Sequence, residues 1–259
     1  MNKRKIVTLL VAGTLTVGVV GGTLAYFTSQ DSVVNQFETK GGNIGDDPNS
    51  GIDINEYFPE QDKLLPGDTR PKLVQVKNLA NYDQFIRVKL TPKWMNLDRQ
   101  GNHVDVSKDE KPSWWLSETS SPDINVVKLN FSENAFVDGE NGYWLKGNDD
   151  YYYFIGKVRA NNENGDLENT LTTSLLRSVS LELGLGNEYK NAIFDVDVDA
   201  EAVQAKNSAF AQQFKGAGDA VLSKLADLQE DKIHSVGVGN EQYEGEGTKT
   251  QPTSQEVYK

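Results

Sequence analysis

Leu73-Val74-Gln75-Val76-Lys77-Asn78 and Phe85-Ile86-Arg87-Val88-Lys89-Leu90 decide the fold class. Both runs alternate apolar and polar side chains and carry β-branched residues on one candidate core face. Period two is the signature of a strand with one face turned inward. The connector Leu79-Ala80-Asn81-Tyr82-Asp83-Gln84 is turn-rich, so the two runs read as an antiparallel pair.

Outward from this pair the same signal recurs. Residues 126–131 alternate. Tyr143-Trp144-Leu145, the turn Gly147-Asn148-Asp149-Asp150 and Tyr151-Tyr152-Tyr153-Phe154-Ile155 form a hairpin pattern. Residues 175–185 and 192–198 complete the list. The polar stretches 41–51, 98–112 and 161–166 read as loops. Seven to nine short strands with no fixed repeat predict an all-β antiparallel β-sandwich. Toward the C-terminus Val221, Leu222, Leu225 and Leu228 switch to helical spacing, which predicts a helix over about 218–231. From Gly237 the chain is rich in Gly, Glu, Gln and Thr, with almost nothing to bury, and reads as disordered.

The beginning of the chain reads as a targeting segment. Lys3, Arg4 and Lys5 precede an uncharged, mostly apolar run over residues 6–20, and Thr23 and Ala25 make a small-residue cleavage site. The run is short for a spanning helix, which needs about 20 apolar residues. Cleavage is expected between Ala25 and Tyr26. The divisions expected are 1–25 signal peptide, 26–40 N-terminal strand segment, 41–206 β-sandwich, 207–233 helical extension and 234–259 disordered tail. Cleavage removes three positive charges and no negative ones, taking the formal net charge from -12 to about -15. Such a chain repels nucleic acid and anionic lipid. No cysteine is present, so disulfides and thiolate metal sites are excluded. A cysteine-free exported chain fits a Gram-positive type of secreted protein. Neither an LPxTG-like sorting signal nor a hydrophobic tail stands near Lys259.

Chemistry has few carriers. The two histidines, His103 and His234, stand in a charged loop and near the tail, with no H-E-x-x-H between them. Both are expected to be solvated, and no catalytic residue, cofactor or metal is assigned. Asp195-Val196-Asp197-Val198-Asp199 resembles the start of a calcium loop, but Ala200 and Lys206 stand where that loop needs Gly and Glu. Period two puts the three carboxylates on one face, expected to be exposed; a weak calcium site shared with a loop is the alternative. Core packing is the default for Trp94, Trp114, Trp115 and Trp144, and alternation would bury one or two of Tyr151, Tyr152 and Tyr153 and expose the others. Trp114-Trp115 is the pair that would suit a sugar-binding platform.

Several stretches together resemble a known family. The signal segment ends Val17-Gly18-Val19-Val20-Gly21-Gly22-Thr23-Leu24-Ala25-Tyr26-Phe27-Thr28, which is similar to substrates of the specialised signal peptidase SipW. Downstream come Leu65-Pro66-Gly67-Asp68, Val76-Lys77-Asn78, Ile86-Arg87-Val88-Lys89 and Trp94, then Tyr152-Tyr153-Phe154, Leu171-Thr172 and Ala202-Val203-Gln204-Ala205. The chain resembles biofilm-matrix proteins of the BsaA kind, within the wider TasA/camelysin group, over about residues 1–207. The resemblance implies a jelly-roll β-sandwich, secreted to the extracellular matrix or cell surface and polymerising with itself into fibres or pilus-like assemblies. It also implies processing by a SipW-type peptidase, with no membrane association after cleavage; whether an anchoring or accessory matrix partner is needed is left open by the sequence. In such relatives the freed N-terminal segment pairs with the next subunit as a donor strand, here carrying Tyr26, Phe27, Val33, Val34 and Phe37. A monomeric adhesin or glycan-binding module and a camelysin-type metalloprotease are the other readings. The second finds no zinc-ligand motif in this sequence.

Overall fold

A computed structural model describes residues 28–33, 51–57, 64–106, 110–160, 169–231 and 235–243. In chain order the strands are β1 (Thr28–Val33), β2 (Ile52–Tyr57), β3 (Thr69–Asn78), β4 (Gln84–Leu97), β5 (His103–Asp105), β6 (Val127–Phe131), β7 (Tyr143–Lys146), β8 (Tyr152–Ile155), β9 (Lys157–Val158), β10 (Leu176–Leu181) and β11 (Phe194–Gln204). Two helices follow, α1 (Ala209–Gln213) and α2 (Asp219–Glu230), and then the short strand β12 (Ser235–Val236).

The strands form an all-β, jelly-roll-like sandwich. The larger sheet runs β1-β11-β4-β8-β7, with β5, β9 and β12 attached at its margins; the smaller runs β2-β3-β10-β6. Every pairing is antiparallel except β12 on β9. Alternation selects the inner faces. Val74 and Val76 of β3 meet Ile86 and Val88 of β4 and Val196 and Val198 of β11 across the sandwich, all essentially inaccessible. Each such side chain contributes roughly 1.5–3 kcal/mol on burial.

The expected β3–β4 pairing is not made. β3 pairs with β2 and β10, while β4 pairs with β11, so the two runs lie in opposite sheets. The connector is a corner between sheets rather than a hairpin turn. Asn78 holds it: its Oδ1 accepts from Ala80 N–H at 2.8 Å, and its Nδ2 donates to the carbonyls of Tyr82 and Val158 at 2.9 and 3.0 Å. The β7–β8 hairpin forms at the expected place, with Tyr143 opposite Ile155 and Lys146 opposite Tyr152.

The helical extension packs on the outer face of the larger sheet. Phe85, Tyr153 and Val203 on the sheet meet Phe210, Phe214, Val221 and Leu225 in a second apolar cluster. β4 is therefore covered on both faces at Phe85 and Ile86, one facing each cluster. Gly218 precedes α2 at its N-cap, with a φ of 89° that is open to glycine and a missing Cβ that leaves room for the Asn148 side chain.

The start of the stretch read as a disordered tail is tied down. Arg159 N–H donates to Val236 O at 2.8 Å, Leu171 and Val238 exchange backbone hydrogen bonds, and Glu241 N–H donates to Gln75 Oε1 at 2.9 Å. Gly237 lies so close to the Asn169 carbonyl that a side chain there would collide with it. Backbone groups of the tail make much of this docking, with polar side chains such as Gln75 and Glu241, and so a composition poor in apolar residues gives no sign of it. Residues 244–259 lie outside the described residues.

Candidate functional site

β1 lies along the outer edge of β11. Thr28 is opposite Val203 and Val33 opposite Val198, six residues in unbroken antiparallel register. β11 is thus sandwiched between β1 and β4, and β1 has no second strand beside it among the described residues. Of the residues expected to carry strand donation, Val33 is in β1. Ala25, Tyr26, Phe27, Val34 and Phe37 lie outside the described residues, as does the proposed cleavage site.

Beyond Val198, toward its N-terminal end, β11 runs past β1 and carries Asp195 and Asp197 of the acidic triplet, while Asp199 lies opposite Ser32 of β1. The expectation of an exposed acidic face fails at its first member. Asp195 is 1% exposed. Its Oδ1 accepts from the backbone N–H of Val196 at 2.7 Å, and its Oδ2 has no hydrogen-bond partner among the described residues. Lys72, from β3 of the opposite sheet, brings its Nζ within 3.7 Å of Asp195 Oδ1 and 3.5 Å of Glu56 Oε1 on β2. The Lys72 side chain is wholly inaccessible, that of Asp195 equally so, and that of Glu56 is 10% exposed. Lys72 shares β3's inward alternation with Val74 and Val76.

Asp197 takes a different cation. Lys93 Nζ sits 2.8 Å from Asp197 and 2.7 Å from Asp105. Burial depresses the Lys93 ammonium's pKa, but the hydrogen bonds to Asp105 and Asp197 outweigh it and hold it above its ordinary value. The Asp197 carboxyl is also raised, by burial first, because one ammonium is shared between two acids and Asp195 stands nearby. The two shifts pull opposite ways on the same bridge. Both carboxylates hold the ammonium, Asp105 from an exposed position and Asp197 from a more enclosed one. Among the described residues no group of three or more His, Asp or Glu is placed to hold a metal ion. His103 opens β5 and is partly buried rather than solvated; burial lowers its pKa and the nearby Asp195 partly restores it. His234 lies outside the described residues.

At the other end of β11, Glu201 accepts from Arg87 Nε at 3.0 Å and from Nη2 at 2.6 Å. Arg87 Nη1 donates to Asp149 at 3.2 Å and to Tyr153 Oη at 2.9 Å, and the guanidinium lies over the Tyr151 ring at 4.1 Å. Burial pulls the Arg87 pKa down, and the hydrogen bonds to Tyr153 and Glu201 more than offset it. Tyr153 is pushed well above the usual phenol range by burial and then by donating to Asp149 at 2.7 Å.

The tryptophans are engaged in packing. Trp94 and Trp114 meet edge to face with centroids 5.0 Å apart, and Trp115 meets Tyr189 at 4.8 Å. Trp114 Nε1 donates to Met95 O at 2.9 Å and Trp115 Nε1 to Ser120 O at 2.9 Å, which uses both indole donors. An open hollow of about 540 Å³ is lined by Glu133, Asp138, Glu140, Glu241 and Arg177 among others, and no histidine among the described residues lines it. Arg177 is turned toward it by a bulge between Leu176 and Ser178.

No protein-family model, no curated protein and no solved structure matches the chain. The functional reading therefore rests on the geometry above and on the resemblance of its sequence motifs.

Proposed function

We propose that this chain is a secreted structural subunit of an extracellular biofilm-matrix fibre or pilus-like polymer, assembled by donation of its N-terminal strand after a signal peptidase frees it. The observation that carries this reading is β1 itself. An N-terminal strand lies on a sheet edge through backbone hydrogen bonds to one neighbour, β11. Those bonds are the same whether the strand comes from its own chain or from the next. An open edge accepts any strand of suitable register, and main-chain bonding supplies the affinity. Exchange in one direction does not close on itself and yields filaments. The SipW-like motif supplies the trigger, because a strand still joined to a membrane-held leader cannot reach a neighbour. The subunit is structural rather than enzymatic, and its partner is another copy of itself.

The test compares chains beginning at Tyr26 and at Gly41 by electron microscopy and size-exclusion chromatography. Filaments from the first and folded monomers from the second are expected. If both stay monomeric at high concentration, strand donation is wrong.

A further inference from the structure

We infer that Lys72 and Asp195 join in an intramolecular amide, formed by the folded chain on itself, with Glu56 as the catalytic proton carrier. This rests on the sandwich geometry and not on the fibre reading.

Three observations converge. First, an ammonium and a carboxyl are buried together without access to water, one from each sheet. Moving one proton from the ammonium to the carboxylate gives the reactive neutral pair, and the amide formed from it removes two charges that are costly to enclose. Second, Lys72 Nζ stands 3.7 Å from Asp195 Oδ1, the oxygen bonded to the carbon it would attack, so a small approach brings nucleophile and carbon toward the contact distance of reacting atoms, about 3–3.5 Å. Third, the groups around the pair fit the reaction. The Val196 N–H points at Oδ1 from 2.7 Å, where negative charge develops as the carbon becomes tetrahedral. Glu56 Oε1 stands 3.5 Å from the nucleophile, within reach of its proton after a small closure.

The step balances without a further reagent. The Lys72 Nζ lone pair attacks Asp195 Cγ and forms the N–C bond. Glu56 takes a proton from the nitrogen and delivers it to Oδ2. The Cγ–Oδ2 bond breaks with its electron pair, and one water leaves. The products are one amide and one water; Glu56 ends as it began. Its slight exposure gives the water a way out, while the sealed Asp195 side keeps bulk water from reversing the reaction. Asp195 rather than Glu56 is the acceptor, because its carboxyl is held by a backbone donor.

The bond would staple β3 to β11, and so join the two sheets just past the stretch of β11 that β1 covers. A subunit closed in this way would not open its sandwich when tension is applied to β1.

Intact-mass spectrometry under denaturing conditions tests this on the folded full chain. The wild type is expected one water lighter than its sequence, with complete conversion. Lys72→Met, Asp195→Ala and the near-isosteric Glu56→Gln are each expected at full mass. Tandem spectra of a digest should contain one branched peptide joining Lys72 to Asp195. A wild type at full mass overturns the proposal. So does a water loss that survives Lys72→Met, or a branch that ends on Glu56. Should the first two variants fail to fold, the wild-type mass and Glu56→Gln still decide. Microscopy judges the fibre separately, so either idea can fail alone.

Discussion

The strand β11 carries acid at both ends, and the two ends neutralise it in different ways. At Glu201 the cation is an arginine whose fork is filled: two bonds to the carboxylate, one to Asp149, one to Tyr153 and an aromatic face beneath. At Asp195 the cation is a lysine, wholly enclosed, with carboxylate oxygens of Glu56 and Asp195 at 3.5 and 3.7 Å. A planar guanidinium stays charged and makes good geometry with several acceptors at once. A lysine amine can lose its proton and become a nucleophile. The difference suggests that the first end is an anchor for the helical extension and the second a place where chemistry is possible.

Asp195→Ala should break this contrast most severely. It leaves the enclosed Lys72 without its partner on β11, and a loss of about 3–5 kcal/mol is expected in urea unfolding, besides any cross-link lost. Replacing both residues, Lys72→Met with Asp195→Leu, should recover much of that, since an apolar pair of similar volume does not need compensation. Failure of the double variant to recover would mean that the polar pair itself specifies the packing.

Arg87→Lys sharpens the other end. The charge remains but the fork does not, and a loss of about 1.5–3 kcal/mol is expected. Limited proteolysis should show α1 and α2 released before the sandwich opens, because Phe214 packs against both Arg87 and Tyr153. If the whole domain is cut at the same rate, the extension is not a separable layer.

The smallest effect concerns pH at the Asp195 end. The folded His103 has a pKa below its ordinary value of 6.5, burial being the main cause. An unfolded chain therefore binds the proton first, and stability falls as pH drops below about 6.5 until the folded imidazole is also protonated. His103→Gln should flatten the unfolding midpoint over that window. An unchanged acid-side slope would place its origin in another group.

Much of this fold was legible, and the gaps have physical reasons. Period two located the strands, because alternation is imposed by the pleat. It did not give partners: the corner at Asn78 and a hairpin turn both read as polar connectors, and the sequence does not say in which direction the chain leaves. The Asp195-Asp197-Asp199 face read as exposed, because an acid on an alternating strand is usually on the wet side. The lysine that encloses Asp195 comes from β3 of the other sheet, more than a hundred residues earlier. Docking of residues 235–243 left no trace because it is largely made by main-chain atoms, which every sequence has. The helix over about 218–231 was visible in its spacing, but the partner beneath it was not. Phe85 and Tyr153 sit on the side of their strands that a one-faced reading assigns to solvent.

The pairing of β1 with β11 also sets an order of events. A chain that emerges N-terminus first presents Thr28–Val33 near the beginning, while its partner residues, Val198 to Val203, come close to the end. Until then the first strand has no home in its own molecule. On the proposed reading that interval is a race. A neighbour with a vacant edge competes against the chain's own late-arriving strand, and crowding at the site of export favours the neighbour. Whether a subunit closes on itself or joins a fibre would then depend on how fast and how close together the chains arrive, as well as on their relative stability.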